Sequence, residues 1–138
     1  MADRLRIGIL GAAGIAKLAL IPAIRNAHNA ELAGVASRNA PALAGWAKDE
    51  GIPRLYHDYA ALLADPEIDA VYIPLPNSEH AAWTIAAARA GKAVLCEKPL
   101  AMTAAEAATV VRECEICDTA LLEEIGRASC RERVCLAV

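Results

Sequence analysis

The chain has 138 residues, 57% of them hydrophobic, with a net charge of −3 and no Phe. That length suits one domain with a real core, and a mean hydropathy of +0.31 excludes intrinsic disorder. No basic cluster or aromatic-interleaved stripe is present, so nucleic acid is not an expected partner.

Leu5 to Leu10 is a short apolar run that reads as a buried strand, and Gly11-Ala12-Ala13-Gly14 is a turn after it. Ile15 to Ala27 has helical spacing, with Pro22 predicted to kink the helix or begin a new turn. Leu32 to Ala36 is the second strand. Asn39 is predicted to cap a helix that carries Pro41 in its first turn and ends at Gly51. Arg54 to Tyr56 is a third strand, and Asp58 caps a helix ending near Ala64. The Asp65-Pro66 turn leads into a strand over Asp69 to Leu75. A helix over Ser78 to Ala90 is closed by Gly91, and Ala93 to Cys96 is the next strand. Thr103-Ala104-Ala105-Glu106 reads as a capping box before a helix to Cys117, and Thr119 to Glu123 as a last strand. Strands alternating with helices predict an α/β fold, a doubly wound parallel sheet with helices on both faces.

The chemistry concentrates at strand ends. Gly11-Ala12-Ala13-Gly14-Ile15-Ala16 follows the first strand and opens the first helix. In a G-x-G-x-x-G/A turn, backbone N–H groups face a dinucleotide pyrophosphate at a helix N-terminus. Gly11 supplies the tight turn and Ala16 the close helix–strand packing. Ala13 stands where the middle Gly belongs, which narrows the approach. At the end of the second strand, Ala36-Ser37-Arg38 holds no acid for a ribose 2′-hydroxyl. Ser37 can donate a hydrogen bond and Arg38 can pair with a 2′-phosphate, so NADP is favoured, with NAD as the alternative.

Pro74-Leu75-Pro76-Asn77 turns the chain over the same crevice. Asn77 either caps the next helix or contacts the cofactor. His80 falls in that helix's first turn, where a surface position competes with a role in the site. Lys98, in Cys96-Glu97-Lys98-Pro99, sits at a strand C-terminus, where an ammonium can hydrogen-bond a substrate hydroxyl or developing alkoxide. Glu97 can orient Lys98 or contact the ribose; the bland alternative is a surface ion pair between the two.

Five Cys at irregular spacing predict no disulfide framework, and the expected location is the reducing cytoplasm. Cys114 and Cys117 form C-x-x-C, but Cys130 and Cys135 suit zinc poorly, so no metal site is predicted. Met1-Ala2-Asp3-Arg4 leads into an apolar run broken by Gly8, Gly11 and Gly14, unlike a signal peptide. No run approaches the ~20 apolar residues that span a bilayer.

Ile7 to Ala16, Ala36-Ser37-Arg38, Asp65-Pro66 with Asp69-Ala70-Val71, Pro74 to His80, and Cys96 to Leu100 together resemble the glucose–fructose oxidoreductase and inositol dehydrogenase family (Gfo/Idh/MocA). The resemblance covers residues 4–123. It implies a Rossmann-type NAD(P)-binding domain of an enzyme that oxidises or reduces a sugar, polyol or related hydroxy compound. It makes Lys98 the active-site lysine. It places Gly11, Ala12, Ala13, Gly14, Ile15, Ser37, Arg38, Pro76, Asn77, His80, Glu97 and Lys98 at the nicotinamide dinucleotide. A homo-oligomer is expected of the full-length protein.

Family members continue into a second α/β domain that supplies most of the substrate pocket. Here residues 124–138 show no hydrophobic period and no family counterpart, and one choice of codons for them resembles a sequencing-adapter oligonucleotide. The expectation is therefore a single truncated Rossmann domain over residues 1–123 and a non-native tail over 124–138. Such a fragment is expected to bind cofactor without turnover, to expose apolar surface and to self-associate. A stand-alone sensing or regulatory NAD(P)-binding module is the alternative, and a domain that binds no nucleotide is a third reading. The native sequence after Glu123 discriminates between the first two.

Overall fold

The computed structural model describes residues 4–125. Six strands form one sheet: β1 (Leu5–Leu10), β2 (Ala30–Ala36), β3 (Leu55–Tyr56), β4 (Ala70–Ile73), β5 (Ala93–Glu97) and β6 (Leu121–Glu124). Their order is β3-β2-β1-β4-β5-β6, and every neighbouring pair is parallel. The chain builds outward from β1 to β3, then returns to place β4 on the other side of β1. That reversal opens a crevice beyond the C-terminal ends of β1 and β4, where open α/β sheets bind ligands.

The central strand β4 is buried and apolar on both faces, and successive side chains point to opposite sides. Ile9, Val35 and Tyr72 pack on one face with Ile21 of α1 (Ile21–Asn26) and Leu43 and Ala47 of α2 (Ala40–Asp49). Leu10, Ala36, Val71 and Ile73 pack on the other with Leu62 and Leu63 of α3 (Tyr59–Ala64) and Ala87 of α4 (Asn77–Arg89). Helix α5 (Ala104–Ile116) adds Val110 and Cys114 against Ala88 of α4.

Pro22 takes the second of its two expected roles. It lies at the start of α1, and the preceding Ala16–Leu20 is wound as a π-helix, with the Ile21 N–H reaching the Ala16 carbonyl. A proline has no N–H to reach back to Leu18, so the helix rewinds just before it. Asp58 caps α3 as expected, accepting from the Ala61 N–H at 2.7 Å. Thr103 caps α5 through the Glu106 N–H at 3.1 Å, and the Glu106 carboxylate reaches back to the Met102 N–H rather than to the cap residue itself.

Asn39 departs from expectation. It stands at the N-cap of α2, but its side chain makes no cap bond, and the Ser37 hydroxyl accepts from the Asn39 N–H instead. Glu124, the first residue of the expected tail, is the last residue of β6 and pairs with Glu97. Residues 126–138 of that tail lie outside the described residues. Leu18, Ile116 and Leu122 are exposed apolar side chains. Among the described residues no helix is long and apolar enough to cross a membrane.

Candidate functional site

The turn after β1 is built around Gly11. Its φ is +99°, and a Cβ there would stand 2.9 Å from Leu75 Cδ2, so only glycine fits without strain. The Gly11 N–H donates to the Ala36 carbonyl at 2.8 Å. This bond brings the turn beside the end of β2, where Ser37 and Arg38 follow. Ala12, Gly14 and Ile15 are exposed and Ala13 is partly buried, while Ala16 is fully buried beneath the helix. The first N–H groups of a helix have no intrahelical acceptor, so this open helix start suits an anion.

Ser37 Oγ accepts from the Asn39 N–H at 3.1 Å and keeps its own proton to donate. Arg38 is exposed. Its Nη2 donates to Glu79 Oε1 of α4 at 2.7 Å, and its guanidinium lies over the Tyr59 ring, 5.5 Å from the centroid. Glu79 was not a sequence candidate. The available signal was its place in the first turn after Pro76, on the far side of the crevice from Arg38.

Asn77 is the first residue of α4, with Pro76 at the N-cap and no side-chain cap bond. Capping is therefore not its role, and both Pro76 and Asn77 are exposed at the crevice. His80 overturns the surface reading. It is 1% exposed, with Nδ1 2.6 Å from the Pro99 carbonyl oxygen and Nε2 2.7 Å from that of Leu75. Both ring nitrogens are engaged by the backbone, so His80 ties the loop after β4 to the loop after β5 rather than offering a nitrogen to a cofactor.

Lys98 follows β5 and is exposed, and its N–H donates to the Glu124 carbonyl. The bland alternative, a Glu97–Lys98 surface ion pair, is not found among the described residues. Instead the Tyr72 hydroxyl, on β4, donates to Glu97 Oε1 at 2.5 Å. Burial, and then the adjoining Glu97 carboxylate, push the Tyr72 hydroxyl far above the usual tyrosine range, so it stays a donor. Sequence reasoning missed Tyr72 because its run, Ala70 to Ile73, reads as an ordinary buried strand. The signal was a single hydroxyl in that run. Neighbouring Cys96 is also buried, and burial pushes its thiol up to about 11, which makes it a poor nucleophile.

Tyr72, Glu97 and Lys98 line one wall of a cavity of about 770 Å³, with Ile15, Leu18 and Leu20 of the first helical segment opposite. The helical segment after β1 and the ends of β4, β5 and β6 thus meet at one cavity, which Glu124 and Ile125 also line. A family described as "Oxidoreductase family, NAD-binding Rossmann fold" (GFO_IDH_MocA) matches residues 5–122. The chain belongs to this family.

Other Gfo/Idh/MocA proteins agree. D-xylose 1-dehydrogenase (NADP(+)) 2 of Haloferax volcanii is 49% identical over 116 residues, 84% of this chain and 35% of that protein. The dTDP-3,4-didehydro-2,6-dideoxy-alpha-D-glucose 3-reductase of Streptomyces violaceoruber is 44% identical over 107 residues, 78% of this chain and 31% of the reductase. A 3-ketoreductase from Actinomadura kijaniata, solved with NADP and TDP-benzene, superposes with a TM-score of 0.84 at 34% identity. It covers 88% of this chain and 37% of its own. The chain therefore spans about a third of the length of the curated relatives it matches.

Proposed function

We propose that this chain is the cofactor-binding part of an NADP-dependent oxidoreductase acting on a sugar, polyol or related hydroxy compound, with NAD as the alternative cofactor. One observation carries the reading: the helical segment that follows the Gly11 turn lines the same cavity as Lys98, and the Gly11 N–H ties that turn to the end of β2, where Arg38 follows. The residues suit the cofactor. Gly11 makes the tight turn that no side chain could share with Leu75, the helix start at Gly14 and Ile15 is exposed to receive a pyrophosphate, and a cation, Arg38, stands where an NAD site carries an acid. The NADP named for the Haloferax dehydrogenase and present in the Actinomadura ketoreductase structure supports this choice.

When bound, the nicotinamide supplies the hydride acceptor or donor. The chain's own residues hold the cofactor and supply one cation to the reaction. Ala12 to Ile15 hold the pyrophosphate, Ser37 and Arg38 the ribose phosphate, and Pro76 and Asn77 close the crevice. Tyr72 fixes the Glu97 carboxylate at the ribose, and His80 holds the two flanking loops together. Lys98 presents its ammonium to the reacting oxygen. In either direction it would stabilise negative charge on the substrate oxygen, whose hydroxyl proton would be exchanged with solvent or with a base of the substrate domain.

The test is titration of this chain with NADPH, followed by quenching of Trp46 and Trp83 fluorescence. Saturable binding is expected; no binding overturns the reading. In a protein extended by its substrate domain, Lys98→Met should lower kcat by about a hundredfold or more. An unchanged kcat removes Lys98 from the chemistry.

A further inference from the structure

The contacts around Arg38 form a chain of four side chains from three elements. The Arg38 guanidinium lies over the Tyr59 ring of α3 and donates to Glu79 Oε1 of α4 at 2.7 Å. The other carboxylate oxygen, Oε2, accepts from Trp83 Nε1 at 3.3 Å. Trp83 in turn meets Tyr59 edge to face, centroids 4.9 Å apart at 88°. Tyr59 is 5% exposed and belongs to the core. The aromatic pair thus anchors both the cation and its carboxylate, and Glu79 is held toward Arg38 from both ends.

We propose that Glu79 is a specificity-determining residue, an internal carboxylate that occupies Arg38 and competes with a ribose 2′-phosphate for it. The proposal rests on the NADP reading above. A 2′-phosphate carries close to two negative charges, and a guanidinium already paired with a carboxylate offers it less potential. The phosphate also approaches the fixed Glu79 charge itself. NAD brings no phosphate to this place and leaves the Arg38–Glu79 pair intact. Glu79 therefore moderates the preference that Arg38 creates, and the site retains usable affinity for both dinucleotides. Trp83 makes the effect specific, because it keeps Glu79 from turning away when the phosphate arrives.

The experiment titrates the 138-residue chain and its Glu79→Gln, Glu79→Asp and Arg38→Leu variants with NADPH and with NADH. Circular dichroism checks that each variant is folded. Removing the negative charge that pairs with Arg38 should tighten NADPH binding by roughly five- to tenfold. NADH binding should not move with Glu79→Gln. The gain should shrink as salt rises from 50 to 500 mM, because the interaction is screened. Glu79→Asp keeps the charge and should stay near the parent. Arg38→Leu should erase the NADPH preference.

Equal or weaker NADPH binding by Glu79→Gln, in a parent that still prefers NADPH through Arg38, overturns the proposal and leaves the NADP reading standing. Equal tightening of NADPH and NADH overturns it as well, because the 2′-phosphate is then not the group involved. If the parent binds neither dinucleotide, or Arg38→Leu leaves the NADPH to NADH ratio unchanged, the NADP reading fails, and this proposal with it.

Discussion

The His80 ring stands 2.6 Å from the Pro99 carbonyl oxygen, one residue past Lys98, and its second nitrogen stands 2.7 Å from the Leu75 carbonyl oxygen. One buried side chain on α4 thus joins the two loops that flank the crevice. Both carbonyls lie just past the ends of strands β4 and β5.

Truncating that side chain should therefore be costly. His80→Ala leaves a cavity and removes the ring's N–H from the two carbonyl oxygens it stands between, and should lower the unfolding free energy by about 2–4 kcal/mol. Urea unfolding followed by far-ultraviolet circular dichroism measures it. Hydrogen exchange should also quicken at Lys98 and Leu100. A loss below about 0.5 kcal/mol would show that the two loops hold without His80.

Two glycines of one turn should respond in opposite ways. Gly11 has φ of +99° and Leu75 against it, whereas a Cβ on Gly14 would meet no atom within 4 Å. Gly11→Ala should cost at least about 1–2 kcal/mol from backbone strain alone. Gly14→Ala, at the start of a helical run, should be neutral or stabilising by up to about 1 kcal/mol. Thermal melts of the two variants side by side decide the matter; equal melting temperatures would refute the assigned turn geometry.

Acid should weaken the fold through Asp69. Its carboxylate accepts from Arg6 Nε and Nη2 at 2.8 and 2.7 Å and from the Arg6 N–H at 2.8 Å. The Arg6 side chain is the main cause that holds its pKa at about 2, below the ordinary 3.8, against the opposing effect of burial. A carboxylate with a depressed folded-state pKa stabilises fully above the ordinary value and loses that contribution as pH falls toward 2. Asp69→Asn should therefore be less stable than the parent at pH 6, and the gap should close between about pH 4 and 2. Urea midpoints across that range test it, and a gap independent of pH contradicts it.

Most of the architecture was legible because it is local. The Leu5–Leu10 and Ala70–Ile73 runs, the Asp58 and Thr103 caps and the glycines at 51 and 91 each specify their own element through periodicity or backbone preference. The Gly11 turn and Lys98 were legible for the same reason: a turn after one strand and a lysine after another are placed by the strands that carry them. Asn39 stands at the cap its residue type predicts, though its side chain makes no cap bond, and of the two roles open to Asn77 capping falls away because Pro76 occupies the cap of α4.

The sequence by itself determined the alternation of strands and helices, the glycine turn after β1 and the cation at the end of β2, since each depends on residues adjacent in the chain. Only the tertiary structure decided what those side chains meet. His80 is buried because Leu75 and Pro99 close over it, Glu97 faces Tyr72 because β4 and β5 are neighbours, and Arg38 meets Glu79 because β2 and α4 converge across the crevice. These pairings join residues far apart in the chain, and they form only when the sheet order brings its strand ends together.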